Sequence, residues 1–102
     1  MRVIAKSTLV KFLNQPECND AKGALQSWYD ETIKAKWTTP QEIKAHYRNA
    51  SICCNNRVVF NIACNKYRLV VEMQYQAGIA WVKFIGTHAQ YDKINVESVN
   101  EY

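Results

Sequence analysis

The stretch "RVVFNIACNKYRLVVEMQYQAGIAWVKFIGTHAQYDKI", residues 57–94, decides the fold. From Arg57 onward apolar residues recur at every second position, the period of a strand with one buried face. Val58, Phe60 and Ile62 share one face of a first strand. In the second, Tyr67, Leu69, Val71, Met73 and Tyr75 share a face, leaving Arg68, Val70, Glu72 and Gln74 on the other. In the third, Ala80, Val82 and Phe84 alternate with Trp81, Lys83 and Ile85. Turn residues Asn65 and Lys66, then Ala77 and Gly78, predict two antiparallel hairpins. A three-residue second loop would turn Lys83 into the core beside Val71, a poor place for a charge. A two-residue loop at Ala77 and Gly78 instead sets Glu72 opposite Lys83 and Arg68 opposite Thr87. That register gathers Arg68, Glu72, Trp81, Lys83 and the start of "THAQYD" on one uncovered face.

Upstream the period is helical. "MRVI" reads as a short strand, and Ser7 as the cap of a helix with Leu9, Phe12 and Leu13 on its apolar face, stopped near Asn14 and Pro16. Ala21, Ala24, Leu25, Trp28, Thr32 and Ile33 predict a longer helix reaching about Lys36. "TTPQE" is a capping box with Thr39 at the N-cap, Pro40 at N1 and Glu42 at N3, opening a short helix that ends near Tyr47. The expected architecture is α+β, with N-terminal helices packed on one face of a small antiparallel sheet. With 102 residues and no repeat or linker, residues 1–102 are expected to form a single domain.

Composition narrows the function. A 48% hydrophobic, 12% aromatic chain folds by itself, and a net charge of +4 permits a phosphate-bearing partner without demanding one. No run is apolar and long enough for a signal-peptide core or a bilayer span, so no membrane partner and a cytoplasmic location are expected. Cys18, Cys53, Cys54 and Cys64 form no CxxC pair, and His46 and His88 flank none of them. Thiols in a reducing compartment, and no metal site or cofactor, are the expectation. No carboxylate cluster suggests a two-metal nuclease, and no glycine-rich loop a nucleotide site.

Each residue of the uncovered face has a plain structural reading. Lys83 and Glu72 can be a cross-strand pair, Trp81 can be covered by a terminal segment, and Tyr91 and Asp92 can pack and cap a last helix. Together they are equipment for holding an RNA phosphate and moving protons around it. Cations offset charge on phosphoryl oxygens, histidine exchanges protons near neutral pH, and aromatic rings stack on unpaired bases. Gly86 lets the backbone come close at the strand end, and Thr87 starts a turn. His88 and Tyr91, three apart, share one side of a short helix facing the cations.

Two blocks, "RVVFNIACNKYRLVV" at 57–71 and "WVKFIGTHAQYDKI" at 81–94, resemble the C-terminal half of the HigB toxins. Those are RelE-like mRNA interferases of type II toxin–antitoxin systems; Cys64 stands where the family more often has glycine. The resemblance implies a RelE-like fold and a metal-independent endoribonuclease that cuts mRNA, usually on the translating ribosome. It implies attack of the ribose 2′-hydroxyl on the adjacent phosphate, leaving a 2′,3′-cyclic phosphate. The implied partners are a HigA-type helix-turn-helix antitoxin, mRNA and the ribosome. Carried onto matching positions, the resemblance makes Arg68, Lys83, His88 and Tyr91 the expected catalytic residues. Arg57, Lys66, Trp81, Thr87 and Lys93 are the expected RNA contacts, and Asp92 is expected to hold a neighbouring side chain. Two rivals share the sequence: a non-catalytic RNA- or ribosome-binding module or inactive toxin relative, and a protein-docking domain with an exposed aromatic face.

Overall fold

The computed structural model of the chain describes residues 1–4, 6–15, 20–63 and 66–100. Their elements run β1 (Arg2–Ile4), α1 (Lys6–Leu13), α2 (Lys22–Lys34), α3 (Pro40–His46), β2 (Ser51–Ile52), β3 (Arg57–Ile62), β4 (Tyr67–Gln74), β5 (Ile79–Thr87) and α4 (His88–Tyr91). The five strands make one sheet in the order β1-β5-β4-β3-β2, giving the α+β class expected. The sheet is mixed rather than antiparallel throughout. β1 runs parallel to β5, with Arg2 beside Ile79 and Ile4 beside Trp81. The Met1 ammonium fixes that edge by donating to the Thr32 carbonyl, 2.9 Å away at the end of α2. Among the described residues no helix is long and apolar enough to cross a membrane.

The helices form where their caps and periods place them. Leu9 and Phe12 of α1, and Leu25, Trp28 and Thr32 of α2, are buried at helical spacing. Thr39 caps α3 by accepting from the Glu42 amide at 3.3 Å, with Pro40 in the first turn. The Glu42 carboxylate reaches back to the amide of Thr38 at 3.1 Å, one residue before the position a capping box uses. The apolar sides of the three helices meet Val58, Phe60, Leu69, Val71, Ala80 and Val82 in one core on one face of the sheet. Edge-on ring contacts, Phe12 on Tyr67 at 5.2 Å and Trp28 on Phe60 at 5.5 Å, lock α1 and α2 onto it.

The last hairpin departs from the two-residue loop. Gln74 pairs with Ile79, so the connection is four residues, Tyr75 to Gly78, and Gly78 supplies its φ of 68°. Glu72 therefore lies opposite Trp81, not Lys83. A bulge then follows: Val71 pairs with Val82 but Val70 with Phe84, and Arg68 ends opposite Gly86, not Thr87. Lys83 is the extra residue. A bulged residue shifts everything after it by one, so alternation is interrupted at this point. Ala80 and Val82 join the main core as expected, but Phe84 joins a second cluster with Val59, Val70 and Val99. Ile85, expected with Trp81 and Lys83, packs against the main core instead.

The second cluster also corrects the uncovered face. Residues 92–99 lie across it, with Ile94 and Val96 packed beside Val99. The first hairpin turn falls partly on residues 64 and 65, outside the described set; there Ala63 has φ 55°, and the Lys66 amide donates to the Ala63 carbonyl at 3.1 Å. Pro16, Cys18 and Cys64 also lie outside the described residues.

Candidate active site

The open end of this face is built around Arg68. It projects from β4 beside Gly86, where the partner has no side chain to cover it. Asn61, its cross-strand neighbour on β3, accepts a hydrogen bond from the Arg68 Nη1 through its Oδ1. The Asn61 amide nitrogen donates in turn to the Asn49 carbonyl at 2.9 Å, which fixes the orientation of Asn61. The guanidinium carbon lies 5.5 Å from the centre of the Tyr91 ring, a cation–π contact. The Arg68 Nε is buried and has no hydrogen-bond partner among the described residues. A cation held by two neighbours and keeping one donor unspent suits an anion.

The helix that presents Tyr91 is made by its own four residues and the two before them. Thr87 accepts from the Gln90 amide at 3.3 Å, and the Gln90 side chain accepts from the Thr87 amide at 2.9 Å. This reciprocal cap stops β5 and starts α4 within one residue. Gly86 makes room for it. A Cβ there would stand 2.8 Å from the Phe84 ring and closer still to the Gln90 Oε1. His88 opens α4 and is exposed, while Tyr91 is half-buried three residues on. Burial, first, and the charges of Cys53 and Asp92 raise the Tyr91 hydroxyl pKa, with Arg68 opposing them. The phenol therefore stays protonated, a donor rather than a base.

The expected site residues separate into groups. Arg68, Thr87, His88 and Tyr91 come together at the open end. Trp81 and Lys83 share the same face farther along β5, the ammonium 4.2 Å from the indole centre. Lys83 is not on an open surface, however: it is 6% exposed. Burial lowers its pKa; Glu72 works against that lowering and Arg57 adds to it. Arg57 is 5% exposed, its Nη1 donating to the carbonyls of Val99 at 2.6 Å and Val96 at 3.2 Å. Its other nitrogen lies 3.7 Å from Glu72, the carboxylate expected to pair with Lys83. Lys66 points to the other side of the molecule's helical half, ion-paired with Asp20, which also accepts from the Tyr67 hydroxyl at 2.6 Å. Those two bonds hold the Asp20 carboxyl below its usual pKa. Lys93 is exposed just beyond α4, and Asp92, also exposed, is the helix C-cap.

Asn61, Asn55 and Gln90 were not singled out from the sequence. Asn61 stands opposite Arg68 once the first hairpin is in register, so an outward amide across from an outward arginine was the available signal. Among the described residues no cluster of three or more His, Cys, Asp or Glu is placed to hold a metal ion.

A family model described as HigB toxin, the RelE-like toxic component of a toxin–antitoxin system, matches residues 21–94. No curated relative matches the chain. The matched span runs from the start of α2 through α4 and so contains every residue of the open end.

Proposed function

The chain belongs to the HigB toxin family, RelE-like toxic components of toxin–antitoxin systems, and from that premise we propose that it is an endoribonuclease cutting mRNA on translating ribosomes in the cytoplasm. The observation that carries the reading is the Arg68–Tyr91 stack beside the exposed His88. It supplies, within one strand end and one helical turn, a cation, a phenol donor and a group that exchanges protons near neutral pH.

The chemistry follows the roles these groups suit. The ribose 2′-hydroxyl attacks the adjacent phosphorus, the bond to the 5′-oxygen breaks, and a 2′,3′-cyclic phosphate and a 5′-hydroxyl result. His88 exchanges the proton that leaves the 2′-oxygen or reaches the 5′-oxygen. Arg68 offsets charge building on the phosphoryl oxygens, and the Tyr91 hydroxyl donates to one of them. Thr87 contacts the RNA backbone at the helix start, and Trp81 offers a ring to an unpaired base. Lys83 is the second cation of the face, Lys93 and Lys66 draw the message by charge, and no metal is required. The partners are a HigA-type helix-turn-helix antitoxin, mRNA and the ribosome.

Expression of the chain without its antitoxin tests this reading. Growth should stop and message should be depleted, and Arg68→Ala at equal soluble expression should restore growth. Normal growth with soluble wild-type protein contradicts it.

A further inference from the structure

Arg57 and Lys83 lie side by side beneath residues 95–99, and that segment meets them with backbone oxygens. Asn95 starts a tight turn, its carbonyl accepting from the Ser98 amide at 3.2 Å and the Val99 amide at 2.9 Å. The next carbonyls then point inward. Those of Val96 and Val99 accept from Arg57, and that of Glu97 accepts from the Asn55 side chain at 3.0 Å. Asn55 and Asn56, both with φ 58°, form the turn that brings Asn55 to the segment. Val99 seals the arrangement against Val59, Val70 and Phe84. The segment is thus a strap, pinned at one end by two side chains and joined at the other to α4.

What lies under the strap is unusual for a protein interior. Arg57 is 5% exposed and Lys83 6% exposed, with Glu72 the carboxylate beside them. Buried charges are costly unless matched by counter-charge and hydrogen bonds. Here the carbonyls of the strap supply part of the match, yet the Arg57 Nε still has no hydrogen-bond partner among the described residues. A guanidinium fork is shaped for two oxygens of a phosphate.

The geometry points to a second phosphate site, made by Arg57 and Lys83, that the strap occupies with its own carbonyls until an RNA backbone displaces it. The site lies along β5 from Arg68, so it takes a phosphate of the same message on one side of the cut. The bound form must lift the strap first, and the apparent affinity is lowered by the fraction of molecules that are closed.

This inference rests on the RNA reading above but is tested without cleavage. The probe is a short single-stranded RNA with every 2′-hydroxyl methylated, which the toxin can hold and cannot cut. Asn55→Ala removes one pin and Val99→Ala loosens the seal, and neither touches a cation. Hydrogen exchange at the Ser98 and Val99 amides reports whether the strap opens. Both variants should exchange faster and bind the probe about three- to tenfold more tightly, the scale of one hydrogen bond lost from the closed form. The logarithmic salt dependence of binding should steepen by about 0.7 for each phosphate gained. Adding Arg57→Met to Asn55→Ala should abolish both gains. Faster exchange with unchanged affinity and salt dependence would overturn the proposal, as would a strap that neither variant opens. A chain that binds in this way and never cuts a message would overturn the cleavage reading alone.

Discussion

Gly86 shows how one missing side chain organises the open end. Its backbone is ordinary, so a substitution acts through space: a Cβ would meet the Gln90 side chain and the Phe84 ring. Gly86→Ala should therefore break the reciprocal cap at Thr87 and shift His88 and Tyr91 together. We expect a stability loss of about 1–3 kcal/mol, as for overpacking, and a larger proportional loss of cleavage. Denaturant midpoints and cleavage rates measured on the same preparation check this; an unchanged rate would detach the cap from function. His88→Ala should slow cleavage by about a hundredfold to ten-thousandfold, the scale for a lost general acid or base, with stability nearly unchanged because the side chain is exposed. Tyr91→Phe removes only the hydroxyl and should lower the rate while keeping the ring against Arg68. Full activity in Tyr91→Phe would leave the tyrosine a packing residue. These positions were legible because glycine, threonine and histidine at a strand end have local meanings. The Gln90 contact was not, since it depends on where a flexible side chain folds back.

At the scale of elements, the bulge in β5 separates what the pattern foretold from what it missed. A period of two places residues on faces only while the count is regular, and a single extra residue reverses every position after it. Ala80 and Val82 were placed correctly because they precede Lys83; Phe84 and Ile85 follow it and exchange faces. The two-residue β2 was invisible because Ser51 and Ile52 carry no period at all. The strap was foreshadowed only as a terminal segment able to cover Trp81, since its hold on the sheet is made by carbonyls, which every residue has. Burial of Lys83 has a measurable consequence. Its pKa in the folded chain lies below the ordinary 10.5, so the unfolded chain keeps that proton to higher pH. Between the folded value and about 10.4 the unfolded state binds more protons, and this group makes stability rise with pH. Lys83→Met removes the titration but keeps the stem. The stability of wild type relative to Lys83→Met should thus increase as pH climbs towards about 10, measured by denaturant unfolding. Parallel curves would contradict a buried ammonium.

Across the whole molecule, helices pack one face of the sheet and leave the other to a cationic arginine–tyrosine end and a strapped pair of buried cations. The family match covers α2 through α4 and leaves β1, α1 and most of the strap outside it. A toxin of this kind has to act on an intracellular polymer present in great excess, and a formal charge of +4 favours encounter with RNA without specifying it. Specificity then rests on the few groups at the end of β5. The most direct test supplies translating ribosomes with a message carrying a single 2′-deoxyribose at a codon the toxin otherwise cuts. Transesterification by the 2′-hydroxyl predicts that the unmodified message is cut there, leaving a 2′,3′-cyclic phosphate, and that the deoxy message stays intact at that position. Equal cleavage of both messages, or stalled ribosomes on uncut message, would contradict the account.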